Sequence, residues 1–265
     1  MIGFRIIKMR RLVMRLILLG FTLAVAVLTP FIVQAMEKPI IYFSFDNIKG
    51  DTVPDLSGND NDGTMENNPK IVNGQFGKGL EFESSRVKVK ASDTLTPDLF
   101  KEGMFTLVIW INAKRTGNAW QQIFRAGPAP NDTLFINSNG RLSWRGWVGA
   151  AWAGGMCETA PGVVEANKWT HATVVSDKKH FRIYVNGELL KESSFQETRG
   201  NNGEYVIGGY AGGESYSGAV DEFAVFPAPL QQEDIKLIME KGVMASTAVS
   251  PSDRLAVTWG EIKKP

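Results

Sequence analysis

Phe181-Arg182-Ile183-Tyr184-Val185-Asn186-Gly187 is the stretch on which the fold turns. Its first five residues are rich in aromatic and β-branched side chains and read as a strand. The Asn-Gly pair that follows is a strong hairpin signal, because a type I′ turn needs positive φ at both central positions. Outward from it the same grammar recurs. Residues 40–46, 80–89, 105–113, 121–125, 133–137, 141–147, 169–176, 205–207 and 219–226 are short β-branched or aromatic runs separated by Gly, Asn, Asp and Pro. Asn139-Gly140 lies between two of them and, like Asn186-Gly187, predicts a pair of adjacent antiparallel strands. One helix is expected, over 231–241, with Ile235, Ile238 and Met239 on one face and Gly242 to end it. The chain therefore reads as all-β, a two-sheet antiparallel sandwich with one short C-terminal helix.

Composition bounds the rest. Residues 1–35 carry Arg5, Lys8, Arg10, Arg11 and Arg15 and no acidic residue, then an apolar run from Leu16 to Leu28, then Val33-Gln34-Ala35. This is the layout of a secretory signal peptide, and the run is short for a membrane span; the alternative is a retained anchor. The expected organisation is a signal peptide over 1–35, one domain over 36–242 and a tail over 243–265, in a secreted protein, extracellular or periplasmic, with no stable membrane insertion once the signal is removed. Without the leader's five cations, 24 basic face 28 acidic side chains, about −4 in formal charge. No basic nucleic-acid surface follows from that balance. Some 230 residues suffice for one well-buried domain. Cys157 is the only cysteine, so no internal disulfide can form.

Six phrases in order resemble the laminin-G-like, concanavalin A-like jelly-roll family. They are Tyr42-Phe43-Ser44-Phe45-Asp46, the segment from Asp55-Leu56-Ser57-Gly58-Asn59 to Asp62-Gly63-Thr64, Gly77-Lys78-Gly79-Leu80-Glu81-Phe82, Phe105 to Trp110-Ile111, Trp169-Thr170-His171 with its Asn-Gly hairpin, and Gly218-Ala219-Val220-Asp221-Glu222. The resemblance implies a jelly roll from about residue 40 to 242, Trp110 and Trp169 in its core, and a function that is mostly binding; it speaks to fold far more than to ligand.

Catalytic arrangements are scarce. Some relatives hydrolyse polysaccharides with carboxylates spaced Glu-x-Asp-x-Glu on one strand, and no such triplet occurs here. Glu81-Phe82-Glu83 places two carboxylates on one side of a strand but reads as an ordinary strand end, and Asp221-Glu222, being adjacent, are expected to face opposite ways. Neither Gly-x-Ser-x-Gly nor a P-loop is present, and two histidines with one thiol make no zinc spacing. Calcium suits the oxygen-rich residues Asp46, Asp55, Asn59, Asp60, Asn61 and Asp62 together with Asp221, because the resemblance brings the N-terminal segment beside the last strand. The expected structural Ca2+ ligands are Asp46, Asp55, Asn59, Asp62 and Asp221; the alternative is a set of Asx turns.

The remaining feature is aromatic. Trp144-Arg145-Gly146-Trp147 and Trp152 put three indoles between small residues, and Trp120 precedes them. Indole stacks on the apolar faces of sugar rings while Arg and Asn take the hydroxyls. Trp147 and Arg145 are expected on one face of a strand, opposite Trp144. The ligand surface is therefore expected at Trp147, Arg145, Trp152 and Trp120, or these tryptophans fill the core and clamp a loop. The reading is a secreted, non-enzymatic binding module for an extracellular carbohydrate. Its alternatives are a structural or adhesive module that binds a protein or cell surface, and a glycan-active enzyme.

Overall fold

Strands dominate, as the turn chemistry requires. The computed structural model describes residues 36–117, 120–127, 132–137, 139–152, 156–200, 203–209 and 214–248. The expected leader 1–35 and the segment from 249 onward, Trp259 included, lie outside the described residues. In chain order the strands are β1 (Ile41–Phe43), β2 (Thr52–Val53), β3 (Gly63–Glu66), β4 (Lys70–Asn73), β5 (Lys78–Glu83), β6 (Arg86–Lys90), β7 (Met104–Ala113), β8 (Gln121–Ala126) and β9 (Asp132–Asn137). They continue with β10 (Arg141–Arg145), β11 (Trp147–Val148), β12 (Ala151–Trp152), β13 (Cys157–Glu158), β14 (Trp169–Asp177), β15 (His180–Val185), β16 (Glu188–Ser194), β17 (Glu204–Ile207) and β18 (Ser217–Phe226). The helices are α1 (Leu99–Glu102), α2 (Gln232–Lys241) and α3 (Val243–Thr247).

Two eight-stranded antiparallel sheets result. The first runs β16-β15-β14-β7-β18-β5-β4, with β1 pairing the far part of β18; the second runs β13-β10-β9-β8-β17-β6-β3-β2, and β11 and β12 form a separate hairpin. Asn139-Gly140 and Asn186-Gly187 both hold positive φ, and they join β9 to β10 and β15 to β16. The run 80–89 does not form one strand. Ser84 adopts φ of 59° and the Ser85 hydroxyl accepts the Glu83 N–H, so the chain leaves the first sheet after β5 and enters the second as β6.

Between the sheets lies a continuous apolar cluster that includes Phe43, Phe82, Phe105, Phe124, Phe223 and Trp144. Trp144 is fully buried, with its ring 5.3 Å from Phe105 and 5.6 Å from Phe100. A second cluster covers the outer face of the first sheet, where Ile235 and Ile238 of α2, Val243 of α3 and Met36 pack on Tyr42, Val108, Val175 and Phe226. The segment after Gly242 thus begins as a helix against the sandwich. Trp110 is buried, but on this outer face, against His171 and Phe76 rather than between the sheets, and Trp169 is only half-buried.

Trp144 fills the centre of the sandwich, so Trp144→Ala should remove about 3–5 kcal/mol of stability. Denaturant unfolding of the variant against the parent measures it; a loss below about 1 kcal/mol would contradict the packing described.

Candidate functional site

The outer face of the second sheet carries an aromatic and polar surface. Along β9 and β10, alternate residues point inward (Leu134, Ile136, Leu142, Trp144) and leave Thr133, Phe135, Asn137, Arg141, Ser143 and Arg145 on the other side. Trp120, just before β8, lies edge-on to Phe135 with ring centroids 5.5 Å apart. The Arg145 guanidinium sits 3.9 Å over the Trp120 ring, a cation–π contact that holds the indole half-exposed. Arg145 also donates to Ser143 Oγ at 3.1 Å and to Glu158 Oε2 at 3.3 Å. Glu158 gathers Asn137 Nδ2 at 2.8 Å and lies 3.7 Å from Arg141 Nη1. Burial works against its charge, but the donors Asn137, Arg145 and Ser143 outweigh it and hold the carboxyl below its ordinary range.

Trp120 and Arg145 are thus brought together as expected, whereas Arg145 and Trp147 do not share one strand. Strand β10 ends at Arg145, Gly146 interrupts, and the half-buried Trp147 opens β11 in register with Trp152 of β12. The backbone of Trp152 is described; its side chain lies outside the described residues. Gly146 is required there, since a Cβ would stand 2.6 Å from both Asp132 Oδ1 and Thr198 Cγ2. Sequence reading passed over Asn137, Arg141 and Glu158, whose shared face appears only when β13 pairs with β10.

Asp132 anchors the start of this hairpin. It is 1% exposed, accepts Thr198 Oγ1 at 2.9 Å, and its Oδ1 has no partner. Arg199 N–H donates to the Trp147 carbonyl at 3.0 Å, so the same segment grips both residues. Burial pushes the Asp132 carboxyl up to about 7, with the Thr198 hydrogen bond opposing it.

The five expected calcium ligands fall into two sets. Asp55 is saturated, accepting the N–H groups of Tyr42, Ser57 and Asn61 and the Ser57 hydroxyl. Asp62 accepts the Asp55 N–H, and Asn59 donates to the Ile40 carbonyl and Ser57 Oγ. These residues bind their own turn to β1. Asp46 and Asp221 instead flank the 74–78 turn, Asp46 accepting Lys78 N–H and Asp221 accepting Phe76 N–H, each at 2.8 Å. Side chains at Gly74 or Gly77 would run into these carboxyls. No group of three His, Cys, Asp or Glu side chains able to hold a metal occurs among the described residues. The full set therefore does not converge, and of the five only Asp46 and Asp221 share the 74–78 turn.

Asp221 and Glu222 do not face opposite ways. A bulge shifts the β18 register between Asp221 and Ala224, and Glu222 takes φ of 50°, so Val220 and Phe223 both enter the core while both acids lie outside it. Burial raises Asp221 to about 7 and raises Glu222 as well. Glu222 accepts the Tyr42 hydroxyl at 2.5 Å and Val243 N–H at 2.6 Å, bonds that hold it in structure. Lys114 Nζ spans Glu81 and Glu83 at 2.9 and 3.6 Å. His171 is buried, neither ring nitrogen has a partner, and burial pushes it down to about 3. The buried Cys157 thiol is pushed up to about 11, away from nucleophilic use.

A laminin G family model, described as the concanavalin A-like lectin/glucanases superfamily, matches residues 86–236, more than half of the chain. The chain belongs to this superfamily. No match was found among curated proteins. Among solved structures, the binding domain of Paraclostridial Mosquitocidal Protein 1 aligns at TM-score 0.61 and 19% identity, over 76% of this chain and 52% of that one. Domain 4 of AbnA, a GH43 extracellular arabinanase from Geobacillus stearothermophilus solved with arabinotriose, gives 0.59 and 16%, over 77% and 98%. The binding domain of Botulinum neurotoxin DC, solved with rat synaptotagmin II, gives 0.60 and 16%, over 77% and 51%. This chain spans about half the length of the two toxin domains. At such identities the superfamily members share the fold, and ligand choice rests on each one's own side chains. No helix among the described residues is long and apolar enough to cross a membrane.

Asp132 gives the hairpin a pH signature. Its folded value near 7 exceeds the ordinary value of about 3.9, so folding takes up a proton between the two and stability falls as pH rises through that window. Asp132→Asn keeps the acceptor for Thr198 and removes the titration. Its gain over the parent should grow by up to about 3 kcal/mol between pH 5 and pH 8. A gain that stays constant across that range in denaturant titrations would show that Asp132 does not titrate there.

Proposed function

We propose that this chain is a secreted, non-catalytic binding module whose ligand is an extracellular carbohydrate. The observation that carries it is the Trp120–Arg145 pair, a half-exposed indole braced by a cation and backed by the buried Phe135 on the outer side of the second sheet. A sugar ring stacks on such a platform through its C–H face, and the donors and acceptors of Glu158, Asn137 and Arg141 serve its hydroxyls. We assign Trp147 and Trp152, paired in register on the β11–β12 hairpin that follows Arg145 in the chain, to the same ligand surface. Export, cleavage after Ala35 and a mature domain beginning at Met36 belong to the same reading, as does the absence of catalysis. Among the described residues two pairs of carboxyls share a strand face, and both are committed, Glu81 and Glu83 to Lys114, and Asp221 and Glu222 to Phe76 N–H, the Tyr42 hydroxyl and Val243 N–H. An exported domain with no disulfide also accommodates a structural calcium ion. We place it at Asp46 and Asp221, with further oxygens from backbone or water, where it would relieve the cost of the buried Asp221 carboxylate.

Two measurements test these readings. Trp120→Ala should weaken binding of the selected glycan by roughly tenfold or more, since stacking on an aromatic platform contributes on the order of 1–3 kcal/mol per ring. Its melting temperature should stay close to the parent's, unlike that of Trp144→Ala. A glycan array on which the parent protein retains nothing would remove the carbohydrate reading. Calcium at about 100 times its dissociation constant should add roughly 2.7 kcal/mol, or about 5–10 °C in melting temperature. Asp221→Asn should lose that increment. Identical melting curves in chelator and in calcium would exclude the ion.

A further inference from the structure

The charges on the outer face of the second sheet are unbalanced in a way that selects among carbohydrates. At the Trp120 end of this face Arg141, Arg145 and the buried Arg125 lie against Glu158 and Glu214, the last held near it by Gln122 Nε2 at 2.8 Å, while toward the other edge Arg86 and Lys88 are paired with Glu66 and Glu204. From residue 36 onward the chain is acidic by about four charges, so this face opposes the sign of the molecule that carries it.

The donors are not equally committed. Arg145 is spent on Ser143, Glu158 and the Trp120 ring. Arg125 gives its Nε to the Gly127 carbonyl. Arg141 uses only Nη1, toward the Thr159 carbonyl at 3.2 Å and Glu158 Oε1 at 3.7 Å. Its Nε and Nη2 have no partner among the described residues, and its side chain is 34% exposed. Those two nitrogens form the edge of the guanidinium that pairs side by side with a planar carboxylate or with two oxygens of a sulfate. Glu158 cannot neutralise both arginines, because one carboxyl stands between two cations and also accepts Asn137. Arg141 and Arg145 lie four positions apart on β10, and their guanidiniums converge on the two oxygens of Glu158 at 3.7 and 3.3 Å, a separation that adjacent rings of a disaccharide span. A ring stacked on Trp120 then brings the substituent of its neighbour to Arg141.

We infer that the ligand is an anionic carbohydrate, carrying a ring carboxylate or a sulfate ester, and that Arg141 is the residue that selects for the anion. This deepens, and rests on, the carbohydrate reading of the Trp120–Arg145 surface. A neutral glycan leaves the free edge of Arg141 to water. An acidic one exchanges that water for a charge-assisted, bidentate pair.

The full chain is titrated calorimetrically with an oligogalacturonate, with the same oligomer fully methyl-esterified, and with a sulfated oligosaccharide of equal length. The acid or the sulfated chain should bind at least tenfold more tightly than the ester, and the advantage should shrink as salt rises from about 50 to 300 mM. Preference for the sulfated chain over both uronate forms identifies the anion as sulfate; preference for the acid identifies it as carboxylate. Arg141→Gln should bring the ratio of anionic to neutral binding toward one, and Arg141→Lys should restore part of it, with melting temperatures checking that both variants fold. If the ester binds as tightly as both anionic forms, the inference is overturned while the carbohydrate reading stands. If none of the three binds and a wider glycan array is also blank, the underlying reading has failed and the inference with it.

Discussion

A carboxyl group carried into the middle of a sheet must be given donors, and β18 carries two in succession. Asp221 and Glu222 sit on β18, an interior strand of the first sheet that pairs with β7, β5 and β1. The bulge turns both acids to the outer face, and their partners arrive from three distant parts of the chain. Phe76 N–H comes from the turn before β5, the Tyr42 hydroxyl from β1 and Val243 N–H from the start of α3. Each bond is local, yet together they fix the N-terminal strand, the 74–78 turn and the C-terminal helices to one place. An unpaired buried charge would cost several kcal/mol, so these attachments and the fold are mutually dependent.

That closure has a consequence for function. The middle of the outer face of the first sheet is occupied by α2, α3, Met36 and Tyr42. The opposite outer face, on the second sheet, has no helix laid across it among the described residues. It is covered instead by side chains of its own, Trp120 over Phe135 and Arg145 over Trp120. In the proposed reading the first sheet holds the chain ends together and the second carries the ligand surface, a division that lets surface residues change while the core stays.

The sandwich was legible in the sequence because its signals are local. Asn139-Gly140 and Asn186-Gly187 act within four residues, and the α2 face repeats within eleven. What escaped depends on partners far away in the chain. The break between β5 and β6 turns on the positive φ of Ser84, a residue with no such preference. The bulge at Asp221 is invisible to a rule of strict alternation, which assigns the two acids to opposite faces. Asp46 and Asp221 were named together, but Asp55, Asn59 and Asp62 were joined to them by residue type alone. In the structure their lone pairs and protons are already spent on the turn they build. At the aromatic surface, Trp120 and Arg145 could be picked by type, whereas Glu158 and Arg141 become neighbours only through a strand of two residues, β13.

Glu158 shows why the omission matters for chemistry. A lone arginine beside a tryptophan would swing freely and lose entropy on binding. Here Glu158 and Ser143 hold the Arg145 guanidinium 3.9 Å over the Trp120 ring, so cation and indole are fixed relative to one another. The same carboxyl leaves Arg141 only partly satisfied, because three donors compete for its two oxygens. One acidic residue thus both rigidifies the stacking platform and keeps a cation available beside it. Replacing it with a neutral residue would loosen the first while freeing the second, so in the proposed reading the stacking and charge contributions to binding are coupled through Glu158 and would not add as independent terms.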